Sequence, residues 1–187
     1  MKTLLISLAL ASAAIAAPVA AQTLPPAVII IVDLDSVFQT SAAGKQALTE
    51  LKTRADAIQA RLQTLRTSFG TEEQTLAKTR PTAPGPAATA WETKVKDFTT
   101  RKTQAEQELA KRDQDLQASR QLVVKQLNDA AQPIIGTIMK ERGASIALAE
   151  GATLQHAASI DVTTDVIARL NAALPRVVTT APAAPAK

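Results

Sequence analysis

Two stretches of this chain carry apolar residues that mirror each other, and no other feature narrows the possible folds as much. The first reads Leu48, Leu51, Ala55, Ile58, Leu62, Leu65, Phe69 and then Leu76. Its steps of three and four residues are the a/d rhythm of a coiled-coil seam. The second reads Trp91, Phe98, Ala105, Leu109 and Leu116. Set antiparallel, Leu76 meets Trp91, Phe69 meets Phe98, Leu62 meets Ala105, Ile58 meets Leu109 and Leu51 meets Leu116, and every pair of residue numbers has the same total. A helical hairpin is the expected form, with arms about 50 Å long at 1.5 Å per residue. Its turn is written in the composition: Pro81, Pro84, Gly85 and Pro86 cannot continue a helix.

The seam is imperfect on the returning arm. Lys102 falls opposite Leu65, Arg112 opposite Ala55 and Ser119 opposite Leu48. Long basic stems can lie across a seam with their heads in water, but these positions thin a two-helix layer, so pliable arms are expected. The arm is assigned to residues 44–142, with its tip near 81–86 and a break at Gly44 before the first helix starts around Lys45. Pro133 and Gly136 predict a second break or kink near the arm's base. Gly143 stands where a helix C-cap wants glycine.

The ends of the chain read differently. Lys2, the apolar stretch Leu4–Ala17 and Val19-Ala20-Ala21 make residues 1–21 a secretory signal, with Ala14-Ile15-Ala16 a competing cleavage site. The absence of cysteine suits an exported protein and excludes a thiol nucleophile. Val28 to Val32 is a β-branched run that reads as a buried strand, followed by a short helical turn capped by Asp33 or Asp35 with Val37 and Phe38 inward. After Gly143 the period changes to two. Residues 144–149 and 152–157, joined by Glu150-Gly151, read as a β-hairpin, and Asp161 or Thr163 opens a last helix with Val166, Ile167, Leu170 and Leu174 on one face. Residues 22–43 and 143–175 thus form one discontinuous body, and residues 176–187 read as a disordered tail.

The fold class expected is therefore mainly α with a small β body: a long antiparallel coiled-coil hairpin arm projecting from a strand-built oligomerisation body. The body's candidate core is Ile29, Ile31, Phe38, Ile146, Leu148, Val166 and Leu170; the arm's candidate seam is Leu51, Ile58, Leu62, Phe69, Phe98, Leu109 and Leu116. A body of about 55 residues is too small for a secure core of its own, and a three-stranded sheet leaves two edges open. Self-association solves both problems.

Charge and chemistry separate the possible functions. Residues 44–142 hold 17 Lys and Arg against 12 Asp and Glu, whereas the body and tail are slightly acidic. An acidic partner would be drawn to the arms, where Arg61, Arg66, Lys94, Lys96 and Arg101 are the candidate contacts, and the same field would attract an anionic lipid surface. The single histidine, His156, has no second His or Cys beside it for a metal site. Asp33 and Asp35 read as caps, the serines lack a matching histidine, and no phosphate-binding glycine motif is present. No catalysis, no cofactor, no metal and no nucleic-acid partner are expected.

Three segments carry a family resemblance. They are Ile29-Ile30-Ile31-Val32-Asp33 leading to Val37-Phe38, Lys140-Glu141-Arg142-Gly143, and Ile160-Asp161-Val162-Thr163 followed by Val166 and Leu170-Asn171. On these the chain resembles the Skp/OmpH family of periplasmic chaperones, over residues 28–43 and 131–174; the arms match it in architecture and not in motif. The resemblance implies a homotrimer with a small β-barrel built from all three subunits and three hairpins projecting around a cavity. It also implies a holdase that, without ATP, keeps unfolded outer-membrane proteins from aggregating in the periplasm. A coiled-coil adaptor or purely structural protein without chaperone activity is the competing expectation.

Overall fold

The computed structural model describes residues 26–180; the expected signal segment, residues 1–21, and residues 181–187 of the expected tail lie outside them. The described chain is mainly helical. Strand β1 (Ile29–Val32) leads to a short helix α1 (Leu34–Thr40) and then to two long helices, α2 (Ala42–Lys78) and α3 (Pro86–Arg142). Strand β2 (Ile146–Ala149) and helix α4 (Thr163–Ala173) complete the order, with single 3-10 turns at Glu150–Ala152 and Ala158–Ile160.

Local chemistry sets the element boundaries. Asp33 caps α1, its carboxylate accepting from the Ser36 N–H at 2.9 Å. Ser41 ends α1 and caps α2, accepting from the Gly44 N–H at 3.2 Å. Gly44 is not the expected break, and α2 starts three residues before Lys45. The glycine sits in the first turn because a Cβ there would meet the Phe38 carbonyl oxygen at 1.6 Å. At the other end Gly143 adopts the left-handed conformation, φ 62°, and the Ala144 N–H donates back to the Met139 carbonyl at 2.8 Å.

The break expected at Pro133 and Gly136 does not occur: α3 runs through both. Pro133 lies on the exposed face, while Leu127, Ala131 and Ile138 are buried at 2, 1 and 0% exposure. Packing of that face holds the helix through the one backbone hydrogen bond that proline removes.

α3 has 57 residues against 37 in α2, and the surplus determines the sheet. It carries the chain past the start of α2 and delivers Ser145 and Ile146 to the Val28 carbonyl, at 2.9 and 3.3 Å. β2 therefore pairs parallel to β1, Ile29 opposite Ile146 through Val32 opposite Ala149. The expected hairpin is absent, and residues 152–157 form no strand. The place on the other side of β1 is taken by Asp161, and the Val162 N–H donates to the Ile31 carbonyl at 3.0 Å. Leu154, the large apolar residue of the expected strand, is fully exposed, so nothing among the described residues rewards pairing there.

The core lies where β1, α1, α4 and the lower parts of α2 and α3 meet, around Val32, Val37, Ala47, Leu127, Val166 and Leu170. Residues within 44–58 and 116–142, assigned to the arm on sequence alone, thus pack into this core. Polar links tie the distant chain ends together. Asp161 accepts from the Thr163 N–H at 2.8 Å, and Thr163 Oγ1 accepts from the Asp33 N–H at 2.9 Å. Asn171 Oδ1 accepts from the Ala42 N–H at 2.7 Å, satisfying a donor that the start of α2 leaves open. Arg169 forks onto Glu141 at 2.8 and 2.6 Å, and Arg142 meets Asp165 at 2.9 Å, fixing the end of α3 to α4.

The tail is corrected over its first residues. Residues 176–180 are not disordered but packed along α2 and α3, with Val177 and Thr179 only 7 and 5% exposed. A Pro- and Thr-containing segment has no periodicity to reveal a docking place, and its partners are side chains spread over two helices.

Candidate functional site

Contacts between α2 and α3 join residues whose numbers rise on one helix as they fall on the other. Near the turn the Trp91 indole N–H donates to the Leu76 carbonyl at 2.9 Å, and Arg80 stacks 5.6 Å from that ring. One heptad on, Phe69 and Phe98 meet edge to face. Arg101 forks onto Glu72 at 3.0 and 2.5 Å, and Glu108 receives Arg112 at 2.7 Å and Arg61 at 3.6 Å. The Arg101 hydrogen bond holds the Glu72 carboxyl below its ordinary range.

The layer is thin. Between residues 59 and 115 the buried apolar side chains are Leu65, Phe98 and Ala105, whereas Leu62, Phe69 and Leu109 stay half-exposed, as does Ile58 just below them. Leu51 and Leu116 are buried lower down, at 8 and 5%. Lys102 keeps its head exposed beside the buried Leu65. Ser119 is 2% exposed, but it faces Arg54 at 3.4 Å while Leu48 is turned out, so the mirrored register does not reach the foot of the two helices unchanged.

The five basic candidates fall into two groups. Arg61 and Arg101 are held in the ion pairs just described, and among the described residues Arg66, Lys94 and Lys96 have no ion-pair partner. All five are exposed. They therefore present a diffuse positive surface and converge on no single point.

A more defined feature lies at the foot, where the sequence reading placed only seam residues. An open cleft of about 530 Å³ separates α2 from α3. Its floor is Ala47, Leu51, Val123 and Leu127, and its rims are Leu48 and Val124, exposed at 52 and 47%. Lys52 and Arg120 stand at its margin, and Lys52 leans on Asp56 at 2.7 Å. The signal for it was present: Leu122, Val123, Val124 and Leu127 are more apolar residues than one seam stripe can hold. The body has its own exposed apolar strip. Ile146 and Leu148, expected in the core, are 41 and 36% exposed on β2, whose outer edge pairs with nothing among the described residues.

Asp33 is engaged as a cap and Asp35 is exposed. His156 lies in the loop after β2, where the Glu150 carboxylate at 3.3 Å and the Ala157 carbonyl raise its pKa. Among the described residues no group of His, Cys, Asp or Glu could hold a metal ion, and no helix is long and apolar enough to cross a membrane. What the arrangement offers is surface: an apolar cleft, a basic pair of helices and an open strand edge.

No curated protein is a significant sequence match. Among solved structures, an OmpH-like protein from Caulobacter crescentus CB15, provisionally described as an outer membrane chaperone, superimposes with a TM-score of 0.70 at 19% identity. The match covers 86% of this chain and 96% of that one, so the two share a fold. The family model for OmpH-like outer membrane proteins matches residues 28–170, the strand, both long helices and most of α4. The chain belongs to the OmpH-like family.

Proposed function

We propose that this protein is an ATP-independent periplasmic holdase that keeps unfolded outer-membrane proteins from aggregating. The observation that carries this reading is the apolar cleft with basic margins at the foot of two long, exposed, basic helices. An unfolded membrane protein presents apolar segments, which such a cleft can cover, and acidic segments, which the arms attract. Contacts of this kind are weak singly and add up over a long chain. Positive charge would govern capture more than holding, because steering acts on association rate.

The working form in this reading is a trimer. Ile146 and Leu148 on the open edge of β2 give each subunit an apolar strip to bury, and strands paired around an axis would close a small barrel. Three arms, antiparallel coiled-coil hairpins projecting from that barrel, would surround one basic cavity. An unfolded chain of about 200 residues has a radius of gyration near 48 Å, comparable to the arm length, so pliable arms suit their cargo. The same positive surface would draw the arms to anionic lipid at the membrane.

The test is dilution of a urea-unfolded outer-membrane protein into buffer with the mature protein and no nucleotide, followed by light scattering. Suppression at stoichiometric amounts supports the reading, and scattering equal to that of the client alone contradicts it.

A further inference from the structure

The residues beyond α4 are held in an unusual way. Gln46 on α2 accepts from the Val177 N–H at 3.0 Å and donates to the Val177 carbonyl at 3.3 Å. Gln126 on α3 does the same for the next residue, accepting from the Val178 N–H at 3.0 Å and donating to its carbonyl at 2.8 Å. Arg54, again on α2, donates to the Thr179 carbonyl at 2.7 Å. Three consecutive residues are thus read on alternate sides, as a strand is read by two neighbours. Side chains alternate as well: Val177 and Thr179 point inward at 7 and 5% exposure, and Val178 points out at 60%.

All five of these bonds go to main-chain atoms, so they do not depend on which residues occupy the segment. Only the inward positions impose a condition, a small apolar or hydroxyl side chain. Four further contacts do belong to this tail in particular. The Thr179 hydroxyl donates to Glu50 and accepts from Arg54 at 3.3 Å, the Thr180 hydroxyl accepts from Arg54 at 2.6 Å, and Arg176 lies 3.8 Å from Glu50.

We propose that this crevice is a peptide-binding site that reads extended backbone, and that residues 177–180 are its resident occupant, displaced by an extended segment of an unfolded polypeptide. The proposal rests on the chaperone reading for the identity of the displacing chain. Its logic is one of effective concentration. The tail hangs from α4 by Leu174, Pro175 and Arg176, so it occupies the site at an effective concentration in the millimolar range. A dilute peptide does not compete with that. A client confined between the arms is itself at high local concentration, and competes on equal terms. The tail therefore keeps a sticky groove satisfied until cargo arrives.

The test uses the full chain carrying Val177→Pro and Val178→Pro, which removes both backbone donors and expels the tail. The probe is the fluorescein-labelled peptide Pro-Arg-Val-Val-Thr-Thr, with a second copy N-methylated at both valines. The variant should bind the plain peptide at least tenfold more tightly than the unaltered protein does, and the methylated peptide at least tenfold more weakly than the plain one. Adding Gln46→Ala and Gln126→Ala should abolish the gain. Absence of binding, or equal binding of the methylated peptide, overturns the site and leaves the tail a mere strap. Hydrogen exchange on the unaltered protein decides the matter even if the proline variant misfolds. The Val177 and Val178 amides should lose protection at least tenfold when an unfolded outer-membrane protein is held, and unchanged protection with the client held overturns the displacement. If no client is held, the chaperone reading fails instead, and the peptide titration still decides the site.

Discussion

Phe69 and Phe98 meet edge to face, their ring centroids 5.7 Å apart and their planes at 85°. They are the largest apolar pair in the middle of the α2–α3 contact, and they stand one heptad from the Trp91 bond to the Leu76 carbonyl. Together the two contacts fix the register of the helices near their turn. Because the surrounding layer is only two helices deep, little else compensates for the loss of either ring. Phe98→Ala should destabilise the outer half of the helix pair by about 3 kcal/mol, the low end for burying and then deleting an aromatic. Hydrogen exchange should show the loss in residues 59–115 and leave the amides of β1 and α4 protected.

The same register can be tested covalently. Cysteines placed at positions 62 and 105, in a chain that has none of its own, should form a disulfide within one subunit. Efficient linking of 62 to a position a full turn away from 105, with none to 105, would show that the mirrored register is wrong.

Gly44 and Gly70 make a matched pair of glycine positions. A Cβ on Gly44 would overlap the Phe38 carbonyl oxygen, while one on Gly70 would meet nothing within 4 Å. Gly44→Ala should cost more than about 2 kcal/mol, in the range of severe core substitutions. Gly70→Ala should stabilise the helix by up to about 1 kcal/mol, the propensity difference alone. Urea denaturation of both variants measures the contrast.

Acid should loosen the joint between α3 and α4. The Arg169 hydrogen bonds hold the Glu141 carboxyl below its ordinary range, so the folded state binds that proton less readily than the unfolded chain. The contribution is full above the ordinary carboxylate pKa and disappears as pH falls through the lowered value. Glu141 is exposed and Arg169 half-exposed, so the effect should be small and reduced by salt. Glu141→Gln should remove this part of the acid dependence, as read by thermal melts between pH 3 and pH 6.

Ile146→Lys combined with Leu148→Lys should separate subunits without unfolding them. Both side chains are already partly exposed in the single chain, so the charges cost its fold little, whereas a buried strand edge would not accept them. Circular dichroism should stay helical while the sedimentation coefficient falls. A complex that remains assembled would exclude β2 from the interface.

Much of this architecture was legible because it rests on local rules. The proline-rich turn, the Asp33 and Gly143 caps and the Phe69–Phe98 and Leu76–Trp91 contacts follow from spacing and from backbone chemistry. The misreadings came where distant parts of the chain meet. Residues 152–157 alternate like a strand, yet Asp161 and Val162 hold the position beside β1. Pro133 signals a break, yet the burial of Leu127, Ala131 and Ile138 carries α3 through it. The cleft at the foot and the docking of Val177 each need surfaces from two helices far apart in sequence. Composition registers that only as a surplus of apolar residues near Val123.

The proposal that three copies of this chain hold one unfolded membrane protein without an energy source is open to a single experiment. Sedimentation velocity of the mature protein, alone and after addition of a urea-unfolded outer-membrane protein, tests it most directly. A single trimeric species should shift to a discrete complex of one client and three chains, with no nucleotide present. A monomer that stays unchanged while the client pellets would contradict it.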